Sequence, residues 1–329
     1  MHGKGITNLE QNSLILKVTE IKRNAVIRVC WNNYHRPASV EEAIHWLDHY
    51  DGCAQVIGGG TDLLLEIQQG AKPVMEAMVD TSRIAGLDRI TEDGQHIIIG
   101  CAVTHTEIVH DERIIRHGTC LVEACGVIGG PQVRNVATLA GNIAHALPAG
   151  DGSIGLLALN GELEITDNEG SRWIPMREAF LGPGQSAIDH HRSLLTRLRF
   201  QPTLKRTASA FTRVMRPQGV ALPMISMAVR LQVDEADLIT AVRISLGPAG
   251  PVPYLAEPAM DLLIGRVATP AQFRQAAEAV LAAVPLRTSK YRATKEYRAQ
   301  MILTHLPTIL ARAAERARSG HAIPEGVGS

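Results

Sequence analysis

The sequence has few aromatic side chains, few cysteines and no excess of either charge. Phe, Trp and Tyr make up 4% of its 329 residues, which argues against a protein of stacked aromatic platforms. Lys and Arg number 33, and so do Asp and Glu. The electrostatic footprint of a nucleic-acid or membrane-surface binder is therefore missing. The five cysteines, Cys30, Cys53, Cys101, Cys120 and Cys125, are odd in number and include no Cys-x-x-Cys. That argues against a disulfide framework, offers no zinc or iron–sulfur spacing, and fits packed, reduced thiols in a cytoplasmic protein. No run approaches the roughly 18 apolar residues that cross a bilayer. The first residues carry Glu10 and lack a continuous apolar core, so no signal peptide is expected. Neither a Ser-His-Asp order nor HExxH occurs. What is present is a globular composition, 45% apolar and 20% charged, long enough for about two domains. The 29 glycines and 17 prolines point to many turns and at least one backbone-built binding loop.

Along the chain, Ser39 with Glu42 three residues later signals a helix start, followed by Val40, Ala43, Ile44 and Leu47 at helical spacing. Ala54–Ile57 is a short apolar strand that runs into Gly58-Gly59-Gly60-Thr61-Asp62. LLLEIQQG then reads as a helix ending at Gly70. Helix, strand, glycine loop and helix make an α/β unit. From about residue 77 strands predominate, with a hairpin turn at Asp167–Gly170 and helices near 106–116 and 119–128. After Pro202, two strands flank a charged turn at Asp234–Asp237. Helices near 270–283 and 293–318 close the pattern, with Pro307 expected to kink or split the second. Residues beyond 318 read as a flexible tail.

Two segments carry chemistry. In Ile57-Gly58-Gly59-Gly60-Thr61-Asp62-Leu63, three glycines between a strand and a helix turn backbone N–H groups towards an anion, the arrangement phosphate oxygens need. Leu63 stands where a Rossmann loop needs its third glycine, and no Lys-Ser/Thr follows as in a P-loop. The second segment, GVIGGPQVRNVATLAGNIAHALPAGD over Gly126–Asp151, is too small-residue-rich for ordinary core. It permits close backbone approach to a flat or charged ligand. Thr138 and Asn142 offer hydroxyl and amide groups to a heterocycle, and Asp151 reads as the N-cap of an apolar helix.

IGGGTDLL, and GxxxxPQVRNVATLAGN followed by PAGD, resemble the two flavin signatures of the FAD-binding (medium) subunit of the molybdenum hydroxylases. That family includes the xanthine dehydrogenases and the aerobic carbon monoxide dehydrogenases. The likeness spans about residues 29–315. It implies an α+β fold: a two-lobed FAD-binding domain over 29–203, with a small α/β lobe (about 29–80) and a mainly antiparallel α+β lobe (81–203). A C-terminal α+β domain over 204–318, with a small antiparallel sheet and helices, would follow. Residues 1–28 would be an extension and 319–329 a tail. Carried over residue by residue, Ile57 to Leu63 would hold the pyrophosphate, and Thr138, Leu139, Ala140, Gly141 and Asn142 would lie along the flavin and ribityl chain. Asp151, Leu195 and Thr212 would complete the FAD contacts. Ala140 replaces the usual first Gly of GGN, and Leu147 replaces the Ser of SPAAD; neither removes the backbone cradle.

The resemblance further implies a large subunit with a molybdenum cofactor and a small subunit with two [2Fe–2S] clusters. Electrons would reach the flavin singly and leave in pairs to NAD, oxygen, a quinone or another acceptor, in a complex that dimerises further. No general base, nucleophile or metal ligand is expected in this chain. Two other functions compete: a stand-alone FAD-dependent reductase or oxidase, and a non-enzymatic flavin-binding assembly module. Among other residues, His105, His110 and His117 do not share a helical face, His190-His191 read as solvated, and His145 could face the flavin edge or the acceptor. Arg292, Lys295, Arg298, Arg312, Arg316 and Arg318 read as a solvated face or a subunit contact.

Overall fold

A computed structural model describes residues 31–215 and 222–326. The extension expected over 1–28, Cys30 and the last three residues of the tail lie outside them. The first lobe is a parallel three-stranded sheet in the order β1 (Asn33–His35), β3 (Ala77–Asp80), β2 (Ala54–Ile57). Helix α1 (Val40–His49) starts where Ser39 Oγ accepts from Glu42 N at 3.2 Å, and it buries Ala43, Ile44 and Leu47. Helix α2 (Leu63–Gln68) leaves β2 through the glycine loop and ends at Gly70, whose φ is +75°.

The second lobe is an antiparallel sheet in the order β4 (Ile90–Glu92), β5 (Ile97–Gly100), β10 (Leu194–Phe200), β6 (Glu162–Asp167), β7 (Gly170–Pro175). The single helix expected near 106–116 is two, α3 (His105–His110) and α4 (Glu112–His117). Asp111 is extended and caps α4 by accepting from Arg113 N and Ile114 N, which ends one helix and starts the next. Then come α5 (Thr119–Gly126), α6 (Pro131–Arg134), α7 (Leu139–Ala144) and α8 (Asp151–Ala158). Strands β8 (Phe180–Gly182) and β9 (Gln185–Ser186) form a small hairpin. One apolar core serves both lobes.

The remaining chain folds β11 (Thr207–Met215), β12 (Pro223–Val233), β13 (Ile239–Gly247) and β14 (Tyr254–Leu255) into an antiparallel sheet. Helices α9 (Glu257–Leu263), α10 (Pro270–Ala283) and α11 (Lys295–Ser319) pack around a second core on it. Pro307 does not split α11, which runs unbroken for 25 residues.

Helix α8 joins the two cores. Ser245 Oγ donates to Ile154 O at 2.7 Å, Arg230 to Leu159 O at 3.2 Å, and Arg243 to Leu157 O at 3.4 Å. A helix leaves its last carbonyls unpaired and its C-terminus negative, so two arginines are suited to that end. Two of the α11 arginines, Arg298 and Arg316, are buried rather than on a solvated face, Arg312 is half-buried and Arg318 is exposed. Arg316, 6% exposed, pairs with Glu123 Oε1 at 2.7 Å; Arg298, 1% exposed, donates to Met224 O and Arg287 O. Arg312 and Arg318 bond Phe211 O and Ala268 O. The tail folds back. Ile323 O accepts from Arg316, Glu325 N donates to Glu123 Oε1 at 2.9 Å, and the Glu325 carboxylate lies 2.9 Å from Arg312.

Candidate functional site

The three glycines differ in what forces them. Gly58 follows β2, and a Cβ there would make only ordinary contacts, 3.5 Å to Thr138 Oγ1 and 3.9 Å to Thr81 Oγ1. A Cβ on Gly59 would fall 2.0 Å from Val136 O and 2.8 Å from Ala137 Cα. Gly60 has φ +68°, which L side chains rarely adopt. The first glycine segment is thus in backbone contact with the second, and together they wall one cleft of about 420 Å³, within the range of small-molecule sites. Ile57, Gly58, Gly59, Gly60, Thr61, Asp62 and Leu63 all line it.

From the second segment, Thr138, Ala140, Gly141, Asn142 and Asp151 line the cleft, as does Leu195 of β10. Leu139 does not; it is fully buried in the core. Thr138 and Asn142 are partly committed to the fold. Thr138 Oγ1 caps α7 by accepting from Gly141 N at 3.0 Å. Asn142 Oδ1 accepts from Ser153 N at 3.2 Å and holds the start of α8. Gly150, not Asp151, is the N-cap residue of that helix, and Asp151 is its first residue.

Asp151 is 4% exposed and faces the C-terminal sheet, at β11 and β12. Its Oδ2 lies 2.9 Å from Arg213 Nη1 and its Oδ1 accepts from Ser226 Oγ at 2.5 Å. Burial pushes its pKa up to about 6, against the pull of Arg213 and Ser226, so at neutral pH Arg213 faces a carboxylate. Arg213 also donates to Val127 O. The cleft is lined by Arg213, not by its neighbour Thr212, since successive strand residues face opposite ways. Leu222, Pro223 and Arg292 extend the same wall. Sequence reasoning missed Arg213 by one position, and it missed Arg292.

At the α2 side, His145 lines the cleft and binds Glu66, with Nε2 2.8 Å from Oε1. Lys72 Nζ lies 3.2 Å from the same carboxylate. Burial raises the Glu66 pKa, but the His145 hydrogen bond and charge, with Lys72, outweigh it and hold the carboxyl below its ordinary 4.5. The stability this gives is present above about that value and lost as pH falls through the lowered one. We expect His145→Ala to lose part of the acid side of the stability curve, read as melting temperature from pH 7 to 3.5; an unchanged curve refutes it. His190 and His191 are half-buried rather than freely solvated: His190 lines the cleft and bonds Ala144 O, and His191 bonds Ala54 O. Cys101 also lines the cleft, but burial pushes its thiol up to about 12, so it holds no thiolate. Among the described residues no three His, Cys, Asp or Glu side chains gather to hold a metal, and no helix is long and apolar enough to cross a membrane.

Two family models match the chain. "FAD binding domain in molybdopterin dehydrogenase" covers residues 27–202, and "CO dehydrogenase flavoprotein C-terminal domain" covers 209–313. The xanthine dehydrogenase FAD-binding subunit of Escherichia coli O157:H7 is 30% identical over 288 residues, 87% of this chain and 97% of that one. The carbon monoxide dehydrogenase medium chain of Afipia carboxidovorans is 28% identical over 287 residues, 87% and 96% of the two chains. Among solved structures, a carbon monoxide dehydrogenase from Hydrogenophaga pseudoflava lacking the Mo-pyranopterin moiety superposes with a TM-score of 0.79 at 25% identity. That match covers 88% of this chain and 98% of the other.

Proposed function

We propose, from the premise that this chain belongs to the FAD-binding subunits of the molybdenum hydroxylases, that it is the flavin station of a three-subunit complex. It would take electrons singly from [2Fe–2S] clusters of a small partner and deliver them in pairs to an external acceptor. A large partner would hold the molybdenum cofactor and the hydroxylated substrate. The observation that carries the reading is the backbone contact between the two glycine segments. It makes a cradle whose seam leaves no room for a Cβ at Gly59, suited to a pyrophosphate that only N–H groups can approach closely.

FAD, when bound, supplies the redox chemistry by accepting electrons one or two at a time. The chain supplies the rest. Gly58, Gly59 and Gly60 with Thr61 would hold the pyrophosphate. Ala140, Gly141 and Leu195 would bound the ribityl and ring side. Arg213, fixed by Asp151 and Val127 O, would place a positive charge beside the cofactor. Leu139 and Thr212 would act through the fold. We place the FAD-binding domain at 29–203, with lobes meeting near residue 80, and the C-terminal domain at 204–318. A cytoplasmic complex that dimerises, with NAD, oxygen or a quinone as acceptor, completes the proposal.

The test is to purify the tagged full chain from its own host under mild conditions. A flavin absorption spectrum, together with co-purified molybdenum and iron–sulfur subunits, is the expected result. A colourless chain that cannot be reconstituted with FAD sinks the flavin assignment. A lone chain that turns over a substrate at full rate sinks the complex.

A further inference from the structure

Arg134 stands inside the second glycine segment, in PQVRNVATLAGN, yet it is not among the residues that line the cleft. Its role is visible from the end of α5. That helix stops at Gly126, and the chain turns through Val127, Ile128 and Gly129 before α6 begins at Pro131. A helix leaves its last carbonyls unpaired and its C-terminus negative. The carbonyls of this turn are taken by two guanidinium groups. Val127 O accepts from Arg213 Nη1, which reaches it from β11. Ile128 O and Gly129 O both accept from Arg134 Nη1, at 3.3 and 3.0 Å.

The turn so held belongs to the cleft. Ile128 and Gly129 are half-buried and line it, as does Val133 of α6. Gly129 has φ +54°, and a Cβ there would lie 2.9 Å from Val133 Cβ, so turn and helix are packed together. Gly130 O accepts from Val133 N and Arg134 N, both at 3.0 Å, which fixes the start of the arginine's own helix. Hydrogen bonds from a charged donor are about twice as strong as neutral ones. The guanidinium is therefore the strongest single tie between α6 and the turn.

We infer that Arg134 is a positioning residue for FAD: by holding the carbonyls of Ile128 and Gly129 it keeps that turn in the shape the cofactor meets. The inference rests on the FAD reading of the cleft, and Arg134 acts through the turn without touching the ligand. FAD is stripped from the full-length chain, and its dissociation constant is read by flavin fluorescence for native protein, Arg134→Met and Arg134→Lys. Each apo form is also melted, and binding is measured well below the lowest melting temperature. The methionine variant is expected to bind roughly ten-fold more weakly, the worth of one charge-assisted hydrogen bond. One nitrogen serves both carbonyls, so a lysine ammonium can take its place and should bring the loss back to about threefold.

A purely structural role would lower the apo melting temperature and leave the affinity of the folded methionine variant native, which overturns the inference. A lysine variant as weak as methionine also overturns it, because the side chain then acts by shape and not through the two carbonyls. If the methionine variant fails to fold, hydrogen exchange of the native chain decides. The amides of residues 127–130 must gain protection when FAD is added; unchanged exchange there shows that the turn does not meet the cofactor and refutes the assignment. A native chain that binds no FAD would instead overturn the reading of the whole cleft.

Discussion

Gly59→Ala is expected to abolish FAD binding and to destabilise the chain by about 3 kcal/mol, the upper end of ordinary overpacking. The added methyl would sit 2.0 Å from Val136 O and 2.7 Å from its carbonyl carbon. Those atoms are backbone, so they cannot rotate away as a side chain would. Relief requires the second glycine segment to move off the first, which opens the cradle. Gly58→Ala is the control. Its methyl would meet Thr138 Oγ1 at 3.5 Å and Thr81 Oγ1 at 3.9 Å, ordinary contacts, so its apo form should melt within a few degrees of native. Both are checked by thermal melting of the apo chain and by flavin content after reconstitution. A Gly59→Ala chain that melts and binds FAD like the native one would show that the two segments are not locked together.

Arg213→Met is the second large effect, a loss of about 3 kcal/mol at pH 7, the low end for a broken buried ion pair. The variant leaves Asp151 buried with the Ser226 hydroxyl and the charge of Arg292 to answer it. The loss should depend on pH with a definite sign. Asp151 in the native fold already titrates at about 6, above its ordinary 3.8, because burial outweighs Arg213. Without the guanidinium its pKa rises further. A raised folded value gives stability that is full below the unfolded pKa and is lost as pH climbs through the folded one. The variant should therefore be penalised most near neutrality and recover towards the native stability as pH falls to about 4. Urea titrations at pH 7 and pH 4.5 test this. Asp151→Asn combined with Arg213→Met should recover part of the loss at pH 7 and flatten its pH dependence. Equal losses at both pH values would mean that Arg213 acts through packing alone.

The parts of the site that were legible in the sequence are those whose cause is local. Three glycines after a strand announce a backbone cradle because few other reasons place them there, and the family signatures fix their order. What escaped depends on distant partners. Thr212 and Arg213 are neighbours in sequence, and only the sheet decides which faces the cleft. Arg316 sits on a helix with a charged pattern, and its partner Glu123 lies 193 residues earlier, so no local rule could show that it is buried. Asn142 reads as a ligand group, yet its side-chain oxygen holds Ser153. The break between α3 and α4 was visible as Asp111, a strong capping residue, but the apolar spacing around it reads equally well as one helix.

The buried carboxylate of Glu123 bears on how portable the flavin half of this protein is. Its partners are Phe211 N, Arg316 and Glu325 N, and all lie beyond residue 202, where the match to the FAD-domain model stops. Cutting the chain there would strand a carboxylate in apolar surroundings, strip Arg213 and Ser226 from Asp151, and leave the end of α8 without Arg230 and Arg243. The boundary between the two family-model matches is therefore not a seam along which this molecule can be taken apart. A flavin unit transplanted into another electron-transfer protein would have to bring β11, β12, β13 and α11 with it.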